Sequence, residues 1–152
     1  MTMKAGTKEA GTIGAKPSAA PDIDNGAKNS GDQPLPQRIL GRTGERVPIL
    51  GLGTATGGMG LDDADAVRLY ESAIDQGVTY LDTAPGYDRA QKQLGEILPR
   101  RRDEVFLVTK THTADRAEAI SKLEEALRDL RTDTVDLAYV HSMGHLDADQ
   151  VL

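Results

Sequence analysis

The sequence predicts an α/β fold built on a parallel sheet, and three observations carry that expectation. Short apolar segments alternate along the chain with segments of helical period. Those apolar segments are apolar at consecutive positions, as strands covered on both faces are. The polar residues that close them, Thr54, Asp82, Lys110 and His141, recur at intervals of 28, 28 and 31 residues. A closed barrel of eight strand–helix units in about 250 residues allots roughly 31 to each. Four such units have the length of half a (β/α)8 barrel of the TIM type.

The elements follow in order. Residues 1–38 hold five glycines and four prolines, no aromatic residue, and only Met1, Met3, Ile13, Ile23 and Leu35 as large apolar groups. Such a stretch cannot bury enough apolar surface to offset its ordering entropy. It is expected to be a disordered tail, with the folded domain over 39–152. Arg38-Ile-Leu and Val47-Pro-Ile-Leu flank Gly41-Arg-Thr-Gly44, the pattern of a short hairpin about a glycine turn. Leu50–Thr54 is expected as the first buried strand. A helix over about 63–76 carries Val67, Tyr70 and Ile74 on one face, with Ala66, Leu69 and Ala73 beside them; Asp62 or Asp63 can cap its start, and Gly77 can stop it.

Val78–Leu81 reads as the second strand, and 89–98 as a helix on Leu94, Ile97 and Leu98, ended by Pro99. Val105–Thr109 is a third strand. Ile120, Leu123, Leu127 and Leu130 repeat at helical spacing over 116–131, and Val135–Val140 is the fourth strand. A further helix is expected to begin in 145–152.

Composition narrows the function. Without cysteine, the 152 residues hold no disulfide, thiol or cysteine-ligated metal centre. No apolar run approaches the roughly 20 residues that cross a bilayer, and the first residues lack a secretory apolar stretch. With a net charge of −6, nothing attracts the chain to nucleic acid or to an anionic membrane. A cytoplasmic protein is the expectation.

Parallel strands present their C-terminal ends on one rim, where the loops of such folds carry chemistry. Asp82, Tyr87, Lys110 and His141 would meet there. A phenol, with a reference pKa near 10, is a poor acid at neutral pH unless a cation stabilises its phenolate. Lys110 can supply the cation, Asp82 can balance it, and His141 can orient a carbonyl oxygen. That set suits protonation of an oxyanion as hydride reaches the carbonyl carbon. Taken singly, each has an ordinary explanation: a capping or ion-paired aspartate, a solvated lysine, a packed tyrosine, a hydrogen-bonded histidine.

Together, Leu81-Asp-Thr-Ala-Pro-Gly-Tyr87, Leu94-Gly-Glu-Ile-Leu98, Val108-Thr-Lys110 and Val135-Asp-Leu-Ala-Tyr-Val-His141 resemble the aldo-keto reductase superfamily. The resemblance covers about 39–152 and implies a (β/α)8 barrel that reduces aldehydes and ketones with NADPH. It implies an Asp82, Tyr87, Lys110 and His141 tetrad, with Tyr87 as general acid, Lys110 as the residue that lowers its pKa, and His141 as the carbonyl-orienting group. Gly53 and Thr54 match positions that, with Asp82, approach the nicotinamide end of the cofactor. The hairpin resembles the one that closes the bottom of the family's barrel.

The family pattern usually continues after the tyrosine with Gly-x-Ser-Glu, where this chain has Asp88, Arg89, Ala90 and Gln91. Strands five to eight are not represented, so the chain reads as the N-terminal half of a barrel, weak or inactive alone and prone to self-association through open sheet edges. The same superfamily includes potassium-channel β subunits, so a cofactor-binding regulatory scaffold is the second functional class.

Two rivals fail on spacing. Gly51-Leu-Gly-Thr-Ala-Thr56 lacks the third glycine of a dinucleotide fingerprint, with five further residues expected before the helix. His141 and His145 stand four apart but lack the glutamate of a zinc-protease helix, so no metal is expected; His112 and His145 are read as loop residues.

Overall fold

The computed structural model describes residues 35–142. Of the tail expected over 1–38, residues 1–34 lie outside the described residues, as does the helix proposed for 145–152, with His145; Gln37 and Arg38 fall in the first strand. A hairpin of β1 (Gln37–Ile39) and β2 (Arg46–Pro48) pairs antiparallel. It begins one residue before Arg38. Gly41 and Gly44 turn it at φ +53° and +84°, left-handed values that favour glycine.

A parallel sheet follows, in the order β3 (Gly51–Gly53), β4 (Tyr80–Asp82), β5 (Phe106–Thr111) and β6 (Leu137–Val140). The helices α2 (Asp63–Asp75), α3 (Ala90–Gly95) and α5 (Arg116–Leu130) lie between successive strands. This is a partial (β/α)8 barrel with its hairpin. Asp62 caps α2 by accepting from the Asp65 amide at 2.8 Å, and Asp115 caps α5 through the Glu118 amide at 2.8 Å. Gly77 leaves α2 at φ +85°.

The core fills the space between the sheet's outer face and the helices. Leu81 and Leu107 of the strands meet Tyr70 and Ile74 of α2, Leu94 of α3, and Ala126 and Leu130 of α5. Burying each large side chain stabilises the fold by about 1.5–3 kcal/mol. Alternate strand residues face the concave side: Gly51, Tyr80 and Phe106 share one level of the register, and Gly53, Asp82, Val108 and Leu137 the next.

Four expectations are corrected. The first strand is not buried: Gly51 and Gly53 are exposed and Leu52 is half-buried, because β3 is an edge of the described sheet and its glycines contribute no side chain. Residues 55–60, where no element is predicted, form the short helix α1 (Ala55–Gly60). Glycine costs a helix about 1 kcal/mol each, but close packing overrides that cost. A Cβ on Gly57 would overlap the Tyr70 hydroxyl, and one on Gly58 would overlap the Tyr87 carbonyl.

The helix expected over 89–98 is divided, since α3 stops at Gly95 and α4 (Leu98–Arg101) begins three residues later. Pro99 therefore sits in the first turn of α4, where its missing N–H has no intrahelical acceptor to lose, and it terminates nothing. Leu69 and Ile120, assigned to apolar helix faces, are 45% and 44% exposed. Both flank the stripe that meets the sheet; the covered positions are Ala66, Tyr70 and Ile74 in α2, and Ala126 and Leu130 in α5. No helix among the described residues is long and apolar enough to cross a membrane.

Candidate active site

The site grows from the parallel register. Gly53 stands opposite Asp82, and Asp82 opposite Val108, so Lys110 lies two residues further along β5 on the same face. Thr54 ties the first strand's end to the second: both its amide and its hydroxyl donate to the Asp82 carbonyl, at 2.9 and 3.0 Å. The buried Lys110 ammonium reaches back and donates to Asp82 Oδ1 at 2.5 Å, the Thr83 carbonyl at 3.0 Å and Tyr87 Oη at 3.1 Å. Its three hydrogens are thus all used. It also lies 4.6 Å from the centre of the Tyr87 ring.

Tyr87 comes from the loop after β4, which turns through a Tyr87 amide bond to the Ala84 carbonyl at 3.0 Å. Asp88, at φ +50°, redirects the chain into α3. Arg89 then donates to Asp63 Oδ1 and to the Leu61 carbonyl, each at 2.7 Å. Gln91 donates to the Thr109 hydroxyl at 2.9 Å. The residues that depart from the family's Gly-x-Ser-Glu pattern therefore anchor the loop by other bonds.

His141 continues the β6 ladder, its amide donating to the Thr111 carbonyl at 2.6 Å. Its ring meets Tyr87 edge-on, with centroids 5.9 Å apart. Burial lowers its pKa, reinforced by the charges of His112 and Lys110 and opposed by Asp82. At neutral pH it is an uncharged imidazole.

Beneath these groups lies an aromatic floor. Tyr80 stacks on Phe106 at 5.3 Å, and its hydroxyl lies 3.3 Å from that of Tyr139. Burial, with Tyr139 and Asp82 adding to it, raises the Tyr80 pKa.

The structure thus brings together Asp82, Tyr87 and Lys110 by direct hydrogen bonds, with the His141 ring beside Tyr87. Gly53 is exposed next to Asp82, and nothing lies within 4 Å of where its Cβ would be. That bare backbone leaves the space beside Asp82 open to a flat ring. The Thr54 hydroxyl is instead committed to Asp82. Among the described residues no group of three His, Asp or Glu side chains could hold a metal ion.

Sequence reasoning missed Gly58, which lets α1 press on the Tyr87 backbone, and Arg89, whose only sequence signal was its departure from a family motif. It also read His112 as a plain loop residue, although that ring contacts His141.

Comparison with known proteins follows the same residues. The model of the aldo/keto reductase family matches residues 49–148. Aldo-keto reductase YhdN of Bacillus subtilis is 36% identical over 117 residues, covering 65% of this chain and 35% of that protein. The solved structure of aldo-keto reductase AKR11C1 from Bacillus halodurans superposes with a TM-score of 0.68 at 26% identity, covering 77% of this chain and 44% of that one. An aldo/keto reductase from Klebsiella pneumoniae, solved with NADP and acetate, gives a TM-score of 0.58 at 33% identity, over 64% and 36% of the respective chains. The chain spans between about a third and a half of the length of these proteins.

Proposed function

Because the chain belongs to the aldo/keto reductase family, we propose that its site serves reduction of an aldehyde or ketone to an alcohol with NADPH, Tyr87 acting as general acid in a cytoplasmic enzyme. The observation that carries this reading is the Lys110 ammonium, 3.1 Å from Tyr87 Oη and 2.5 Å from Asp82.

The lysine donates to the phenol oxygen, so the phenol's own O–H is free to face a substrate. As that proton leaves, the developing phenolate meets a cation already in place, and no solvent need reorganise. Asp82 pairs with the lysine and aims it. His141, uncharged, can donate one ring N–H to the carbonyl oxygen, fixing the oxygen where the Tyr87 proton will go. The cofactor, when bound, supplies the hydride; Gly53 and Asp82 are the residues that would flank its nicotinamide end. The relative solved with NADP supports this choice of cofactor by family likeness.

The test joins this chain to the part of the Bacillus subtilis relative that follows the matched residues and compares the parent with Tyr87→Phe. The variant is expected to lose carbonyl reduction by about 10²–10⁴-fold, while NADPH fluorescence titration shows unchanged affinity. Retained turnover would remove Tyr87 as the acid. Cofactor binding without turnover in the parent as well would favour the regulatory scaffold reading.

A further inference from the structure

His112 touches none of the groups so far given a role except His141. The two rings lie with centroids 4.5 Å apart, and His141 Nδ1 stands 3.2 Å from His112 Nε2. One nitrogen must donate and the other accept, and the choice decides what His141 can do. If His141 donated from Nδ1, its remaining nitrogen would be a bare acceptor, useless for holding a carbonyl oxygen. If His112 donates, His141 carries its proton on Nε2, and that N–H is the one left for a ligand.

Intrinsic tautomer preference selects the second arrangement. A neutral histidine favours its proton on Nε2, and donation from His112 leaves both rings in that form. The opposite polarity would force both rings into the less stable tautomer. His112 is exposed, so water can satisfy its remaining nitrogen. Its ring lies over Gly86, where a Cβ would come within 3.4 Å of Nε2. The loop carrying Tyr87 thus leaves His112 a close seat beside His141.

We propose that His112 is a positioning residue that donates from Nε2 to His141 Nδ1 and so holds His141 as an Nε2–H donor. Its value for catalysis rests on the carbonyl reduction proposed above. The charged and titratable groups around the pair are Asp82, Lys110 and Tyr87, with Glu118, Lys122 and Glu125 lining, together with His112, a groove of about 290 Å3.

The test reads the tautomer directly, by long-range proton–nitrogen correlation of the histidine rings in the full 152-residue chain at pH 7.5. His141 is expected to show two widely separated nitrogen resonances, with Nε2 protonated and Nδ1 bare. In His112→Phe those resonances should converge toward a tautomer average. In His112→Gln, whose side-chain amide can donate, the separation should return. An Nδ1-protonated His141 in the parent, or resonances unmoved by His112→Phe, would overturn the proposal. Substitution at this exposed position spares the core, and unchanged amide spectra would verify it. Failure of the reductase reading in the Tyr87→Phe comparison would leave these resonances as they are, so the two fail separately.

Discussion

Replacing Asp82 by Asn keeps the shape of the side chain and an acceptor oxygen but removes the charge, leaving the Lys110 ammonium without its counter-ion. Removing one partner of a fully buried ion pair costs about 3–5 kcal/mol, and exposed pairs are worth less than about 1 kcal/mol. The Lys110 side chain is 10% exposed and that of Asp82 27%, so solvent screens one end of this pair. A loss of about 2 kcal/mol is expected, about 1 M in the urea midpoint at a typical slope. The sharper measurement is the double-mutant cycle with Lys110→Met. Methionine removes the cation, so Asp82→Asn in that background should cost about 1–2 kcal/mol less than in the parent. Urea unfolding of the four chains, followed by circular dichroism at constant slope, gives the coupling. Single-mutant effects that add to within about 0.5 kcal/mol would refute the pairing.

Other predictions concern the frame of the site. Gly58→Ala should cost about 1–3 kcal/mol by overpacking and displace the Tyr87 loop, seen as a lowered melting temperature and shifted loop amides. Unchanged values would refute the clamp by α1. Burial pushes the Tyr70 phenol up to about 12, above its value in the unfolded chain. The contribution of that shift is therefore present below about pH 10 and lost as pH rises from 10 toward 12. Urea midpoints should fall over that range, less steeply in Tyr70→Phe, a variant that also loses about 1 kcal/mol with its bonds to the Thr54 carbonyl and Gln93. The His141 ring should stay uncharged below the ordinary histidine value of about 6.5, giving a titration midpoint under that pH by nuclear magnetic resonance. The 152-residue polypeptide, whose described sheet has β3 and β6 as edges, should associate with rising concentration in sedimentation velocity; a single monomeric boundary throughout would exclude it.

Much of this fold was legible in the sequence because its signals are local. Strands buried by helices on their outer face read as apolar runs, and Asp62 and Gly77 act within one helical turn of where they stand. Three strand-end residues and the loop tyrosine could be grouped because parallel neighbours deliver their C-terminal ends to one rim. What escaped depends on contacts remote in sequence. Three glycines disfavour α1 locally, and only the Tyr70 hydroxyl and the Tyr87 carbonyl, remote in sequence, show why two of them are needed. Gly95 ends α3 against the last turn of α5, where a Cβ would overlap the Asp129 carbonyl, and so Pro99 falls at a helix start. His112 acquires meaning only beside a ring 29 residues away.

The stagger of β5 against β4 has a consequence for misfolding. A slip of one residue in that ladder would turn Lys110 to the helix side, put a threonine in its place, and expose Leu107 at the same stroke. Hydrophobic sorting and chemical competence are therefore enforced by a single alignment. A population of chains cannot hold a well-sorted interior and a miswired site together, so titrating the phenol–lysine contact also counts correctly threaded sheets.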